Sequence, residues 1–355
     1  MEGHRTNGEV IVGGDARQRF YDARGYGRPT ADGGVALAPV EAAHLLYRGD
    51  LATVDGHSFA DFLVAAARDG ATDIVARFLV YADLRERGFY LALPVATTAD
   101  LPSGTDFAVF ERGESPPDGS VAHALRVVGE RTSVAAASLG GVVLAVVDEE
   151  SEVTYFESSR PAVEGGSAFT PPTFDGTVLS ERVVAWNPPD ALYHTGFYGR
   201  PMGGRTETAV EALQLSLVEA AYLADTGALS VDGGPAAVRE RGRAVEGERF
   251  DRRLAAYAVL REAGAVPKTG FKFGADFRVY HEVESVDSLG HSERLVRVVP
   301  ADHVFSPREL ALDVRLAGGV RKQLVFALVE ENPSVEAAMD DWPRVEWLAL
   351  DRLTP

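Results

Sequence analysis

The sequence contains no cysteine, which excludes disulfides, zinc–thiolate sites and thiol nucleophiles. Lysine is almost missing as well. Only Lys268, Lys272 and Lys322 occur, against 32 arginines and 53 acidic residues, for a net charge of −18. An enzyme that handles phosphate usually carries a basic footprint. An acidic, lysine-poor surface suits a protein that works in molar salt, where the Debye length shrinks to about 3 Å and self-repulsion is screened. The plainer reading is an acidic protein that happens to use little lysine. No apolar run approaches the roughly 20 residues needed to cross a bilayer. No apolar segment follows the polar start Met1-Glu2-Gly3-His4-Arg5, so a secretory leader and a membrane partner are not expected, and a cytoplasmic location is.

What is present is a unit written twice. Tyr21–Pro29 (YDARGYGRP) returns as Tyr193–Pro201 (YHTGFYGRP), and Val40-Glu41-Ala42-Ala43 returns as Val218-Glu219-Ala220-Ala221. Tyr81–Glu86 returns as Tyr257–Glu262, and Gly104–Phe110 (GTDFAVF) returns as Gly274–Tyr280 (GADFRVY). The offsets are 172, 178, 176 and 170, and the order is kept, as expected of an internal repeat. The stretch Ser158–Gly176, with Pro161, Gly165, Gly166, Pro171 and Pro172, has the composition of a linker. The division expected is 1–157, 158–177 and 178–355. Charge is uneven: residues 1–170 carry −11 and residues 171–355 carry −7.

Local signals in the second copy mix helix and strand. Thr208-x-x-Glu211 reads as a capping box before an apolar-periodic helix through Leu213, Leu217, Ala220 and Ala221, ended by Gly227. Phe250–Ala263 reads as a helix, and Ser306-Pro307-Arg308-Glu309 should open another that stops at Gly318-Gly319. Lys272–His281, Arg294–Pro300, Val320–Val329 and Val345–Leu350 read as strands. Each copy should therefore be α/β or α+β.

The chemistry concentrates between Gly270 and Lys322. Gly270-Phe271-Lys272-Phe273-Gly274-Ala275-Asp276-Phe277-Arg278-Val279-Tyr280 is followed by His291-Ser292-Glu293 and by Val314–Lys322 (VRLAGGVRK). Taken singly, a strand tyrosine is usually packing, and a histidine after glycine or a lysine at a strand start is usually solvated. Together these segments resemble the catalytic core of the archaeal tRNA-intron (tRNA-splicing) endonucleases, over at least Tyr193–Leu350. The first copy, with Phe110 in place of Tyr280, Ser120 near the match to His291 and Gly140 near the match to Lys322, then reads as a degenerate scaffold.

The resemblance implies two tandem copies, each an N-terminal α+β subdomain followed by an α/β nuclease-like subdomain, the working one at about 265–355. It implies metal-independent cleavage of precursor tRNA at bulge–helix–bulge junctions, with no cofactor. The ribose 2′-OH attacks the adjacent phosphorus, leaving 2′,3′-cyclic phosphate and 5′-OH ends. By resemblance Tyr280 is the base, His291 the acid and Lys322 the stabiliser of the phosphorane. Imidazole, ordinarily titrating at about 6.5, suits an acid near neutrality, whereas a free phenol at about 10 is a poor base unless a cation favours its ionised form. Of the other histidines, His281 follows Tyr280 directly, so on a strand it should point to the opposite face, and His303 has no family motif around it.

Arg315 and Trp347 match positions that sandwich a flipped-out bulge base of the opposite site, a contact that loses little to salt. Family members with this layout act as homodimers, with an acidic loop of the scaffold copy docked into the partner. Asp148-Glu149-Glu150-Ser151-Glu152 is the candidate, and a solvated turn is the plain alternative. Two other readings stay open. A restriction-type metal nuclease is one, although no Asp…Glu-x-Lys arrangement is present. A non-catalytic RNA-binding subunit is the other, although the second copy keeps every catalytic position.

Overall fold

The structure, a computed structural model, describes residues 1–70, 73–116, 119–204, 210–330 and 342–355. The chain is an α+β protein built twice. In the first copy, short strands (Glu2–Thr6, Glu9–Val12 and Val35–Leu37) lead into helices α1 (Pro39–Tyr47), α2 (Phe59–Arg68) and α3 (Ile74–Glu86). Five strands of a larger sheet follow: β1 (Leu91–Ala92), β2 (Phe107–Phe110), β3 (Val121–Gly129), β4 (Val143–Val147) and β5 (Val153–Ser159).

The second copy repeats this order. Strands Arg182–Trp186 and Ala212–Ser216 precede helices α4 (Leu217–Asp225), α5 (Gly234–Glu246) and α6 (Arg249–Glu262). Then come β6 (Val266–Thr269), β7 (Phe277–Tyr280), β8 (Arg294–Pro300), helix α7 (Pro307–Gly319), β9 (Gln323–Val329) and β10 (Val345–Leu353). All ten strands form one sheet, in the order β6-β7-β8-β9-β10-β5-β4-β3-β2-β1. Each half has the same pairing, with one parallel contact (β3–β4, β8–β9) among antiparallel ones. The halves join through antiparallel β5 and β10, from Tyr155 opposite Leu353 to Ser159 opposite Ala349.

Alternating side chains of each strand reach opposite faces. On one face Val296, Val298, Val325 and Ala327 close the core of the second copy under α6. On the other, Leu295, Leu324, Phe326 and Leu348 share a core with Leu144, Val146 and Phe156 of the first copy. Helix α7 covers that shared core with Leu310, Val314 and Ala317. In the first copy the place of α7 holds only a short turn, Ala136–Ser138.

Several local expectations need correction. Thr208 lies outside the described residues. The stretch from Ala212 to Ser216 is a strand, and its helix begins at Leu217 behind a different capping box: Ser216 Oγ accepts from Glu219 N–H, and Glu219 accepts from Ser216 N–H. A sheet partner, Arg182–Trp186, overrides the helical period there. The expected strand Lys272–His281 is shorter, because Phe271–Phe273 make a 3-10 turn ended by left-handed Gly274 (φ 68°). Helix α7 stops at the glycine pair Gly318-Gly319, as expected, but neither glycine makes the reversal. The reversal falls on Arg321 (φ 55°), with Lys322 N–H donating to the Ala317 carbonyl and Arg321 N–H to that of Gly318.

The glycine- and proline-rich stretch from 160 to 173 has no helix or strand, yet it lies against the second copy. Gly165 N–H donates to the Ala263 carbonyl (2.8 Å) and Gly166 N–H to that of His281 (2.9 Å). A Cβ at Gly165 would sit 2.2 Å from the Gly264 carbonyl oxygen, so only glycine fits.

Candidate active site

Strand register places the three residues singled out in the sequence. Val279 on β7 lies opposite Arg294 on β8, and Arg294 lies opposite Gln323 on β9. Tyr280 is one residue beyond Val279, His291 three before Arg294, and Lys322 one before Gln323. Because β7 runs antiparallel to β8 and β9, all three sit at one end of three adjacent strands. His291 is exposed. The Lys322 ammonium donates to the carbonyl of Ser292, which follows His291, and sits 5.8 Å from the Phe273 ring centre. Tyr280 is only 7% exposed. Its ring meets Phe197 edge-on at 5.7 Å, and the Arg278 guanidinium lies 5.8 Å from its centre. His281 is turned away: its Nδ1 sits 3.0 Å from the Glu164 carbonyl oxygen.

Arg315 is exposed on α7. Trp347 is half-buried on β10, opposite Ala327. That is four residues along β9 from Gln323, or about 13 Å at strand rise, so Trp347 does not join the other three within one chain. In the first copy the same sheet end is stripped. Phe110 is fully buried, His123 pairs with Val109 and so matches Arg294 rather than His291. The Lys322 place falls to Gly140 (φ 102°), where a Cβ would meet Arg160 at 2.7 Å.

A cleft that the sequence did not point to lies behind Tyr280. It has a volume of about 470 Å³ and is lined by Arg182, Arg200, Phe197, Lys268, Lys272 and Arg278, among others. Two of the chain's three lysines are therefore here. Lys268 is buried and bonds Glu219 (2.6 Å) and the Gly199 carbonyl (3.0 Å). Burial works to raise the Glu219 carboxyl, but the Lys268 ammonium and the Ser216 N–H outweigh it and hold it below its ordinary value. In the first copy Ala92 and Ala108 are paired where Lys268 and Arg278 are paired in the second. The lysine scarcity was the available signal. The cleft itself depends on strands far apart in sequence.

The architecture is thus a duplicated α+β protein whose second copy gathers Tyr280, His291 and Lys322 at one sheet end. The tRNA intron endonuclease N-terminal domain matches twice, at residues 1–63 and 174–240, and the catalytic C-terminal domain matches residues 250–337. The chain is 57% identical to a tRNA-splicing endonuclease of Natronomonas pharaonis over the full length of both. It is 54% identical to that of Haloarcula marismortui over 98% of each chain. It is 38% identical to that of Methanosarcina mazei over 92% of this chain and 94% of the relative. The chain belongs to the tRNA intron endonuclease family, and its haloarchaeal relatives accord with its acidic, lysine-poor composition.

Proposed function

We propose that this tRNA-splicing endonuclease cuts precursor tRNA at bulge–helix–bulge junctions without metal, by attack of the ribose 2′-OH on the neighbouring phosphorus. Tyr280 takes the 2′-OH proton, His291 protonates the leaving 5′-oxygen, and Lys322 stabilises the phosphorane charge. The products are a 2′,3′-cyclic phosphate and a 5′-OH. The observation that carries this reading is the convergence of Tyr280, His291 and Lys322 on one sheet end, with the Lys322 ammonium on the carbonyl beside His291. Exposed Arg315 and half-buried Trp347 contact the bulge base of an opposite site. The distance of Trp347 from the trio in one chain supports a role across two chains.

Residues 1–157 act as scaffold, 158–177 as connector and 178–355 as the working copy, in the cytoplasm. One chain carries one trio, and excision needs two cuts, so the working form is a homodimer. Its docking element is the turn between β4 and β5. Asp148 folds this turn by accepting from Glu150 N–H and Glu152 N–H (both 2.9 Å), which places the exposed Glu149 and Glu150 at its tip, Glu149 in an ion pair with the exposed Arg131 that docking would exchange. The cationic cleft behind Tyr280 has the complementary charge.

The test is cleavage of an end-labelled bulge–helix–bulge RNA in high salt with EDTA. Wild type is expected to give cyclic-phosphate ends, and His291→Ala to cut about 10²–10⁴-fold more slowly. Binding without cleavage, or cleavage only with added divalent metal, overturns the mechanism.

A further inference from the structure

The ends of β7, β8 and β9 are held together at Glu293. Its N–H donates to the Val279 carbonyl (3.1 Å), and its carbonyl accepts from Gln323 N–H (3.0 Å). Its carboxylate accepts from the backbone N–H of His281 (2.9 Å). These partners flank two of the proposed catalytic residues: Val279 and His281 stand on either side of Tyr280, and Gln323 follows Lys322. The peptide just before Glu293 carries the Ser292 carbonyl that receives the Lys322 ammonium.

The carboxylate contact marks a break in the ladder. The regular pairing of β7 with β8 ends at Val279 opposite Arg294, and the chain beyond Tyr280 leaves for a loop before returning at His291. An amide just past the end of a strand has lost its ladder acceptor. The first copy solves this with backbone. There Glu111 N–H, the counterpart of His281 N–H, donates to the Ser120 carbonyl (2.9 Å), and the strands stay paired through a bulge at Phe110. The residue matching Glu293 by register is Ala122. Only the second copy splays its strand ends, and there a side chain replaces the lost carbonyl.

We infer that Glu293 is a positioning residue: its carboxylate pins the outgoing end of β7, and so Tyr280, to the segment that carries His291 and receives Lys322. This rests on the roles proposed above for those three residues. Displacement of a reacting group by about 1 Å is enough to cost roughly 10²-fold in rate.

The experiment measures single-turnover cleavage and RNA binding for wild type, Glu293→Ala, Glu293→Asp, Glu293→Gln, His291→Ala and Lys322→Ala, with a thermal melt of each. Glu293→Ala and Glu293→Asp, which is one methylene too short, should lose about 10–100-fold in kcat with RNA affinity held within about threefold. Glu293→Gln keeps an acceptor oxygen on the same stem and should restore most of the rate. Wild-type kcat in Glu293→Ala and Glu293→Asp, or no rescue by Glu293→Gln in a protein that melts like wild type, overturns the proposal. Should Glu293→Ala unfold, the folded Asp and Gln variants decide it. Full activity of His291→Ala and Lys322→Ala would instead overturn the underlying roles, a result separable from any behaviour of Glu293.

Discussion

The two buried glutamates of the repeat, Glu41 and Glu219, hold the same backbone contacts. Glu41 accepts from Gly27 N–H and Ala38 N–H (both 2.8 Å), and Glu219 from Gly199 N–H and Ser216 N–H (both 3.1 Å). Each lies near an arginine stacked on a tyrosine, Arg85 at 4.3 Å from Tyr26 and Arg261 at 3.9 Å from Tyr198. Only Glu219 has a lysine. Burial pushes the Glu41 carboxyl up to about 7, with its N–H donors and Arg85 opposing. A carboxyl raised in the folded state contributes stability that is complete below its unfolded value, about 4.5, and is lost as pH rises through 7. The full effect is on the order of 3 kcal/mol. Melting at pH 5.5 and 8.5 should show wild type losing stability across this window and Glu41→Gln losing much less. Equal losses would show that Glu41 does not titrate there. The sequence repeat matched the two glutamates, and at the offset of 176 it sets Ala92 against Lys268, but that Lys268 reaches Glu219, 49 residues away, follows only from the fold.

Among elements, the turn from α7 into β9 decides where Lys322 points. A non-glycine residue in left-handed conformation costs about 1–2 kcal/mol, and Arg321 bears that cost at φ 55° although two glycines precede it. Arg321→Gly should therefore leave the fold intact and raise the unfolding free energy by up to about 1 kcal/mol in urea titration. A clear loss of stability would mean that the Arg321 side chain holds the turn. The helix α7 was legible from Pro307 and Glu309, and β8 from its run of valines, because both signals are local. The reversal at Arg321 just beyond the helix was not, since it is set by where β9 must enter the sheet beside β8. Likewise the strand Ala212–Ser216 has helical spacing and becomes a strand because Arg182–Trp186 offers its backbone a partner.

At the scale of the molecule, β5 and β10 fuse the copies into one sheet, with a common core beneath α7. The first copy shares that framework but has Phe110 where the second has Tyr280, Gly140 where it has Lys322, and the pair Ala92 and Ala108 where it has Lys268 and Arg278. In the proposed homodimer the first copy serves its partner through the acidic turn. Glu149→Lys with Glu150→Lys should therefore shift the protein from dimer to monomer in light scattering and lower cleavage, with the effect strongest at low salt. An unchanged dimer would place the interface elsewhere.

The sequence alone determined that the protein is duplicated, that its second half holds a phenol, an imidazole and an ammonium in a family pattern, and that its surface is acidic and poor in lysine. Those are properties of order, spacing and composition, which survive without coordinates. Tertiary structure decided which strand ends meet, that Tyr280 lies buried against Phe197 while His291 is exposed, and that Glu293 joins three strands. It also decided that Lys268 and Lys272 face a common cleft. Each of these is set by pairing and packing between segments tens of residues apart, where register assigns the neighbours and burial sets the cost of leaving a polar group alone.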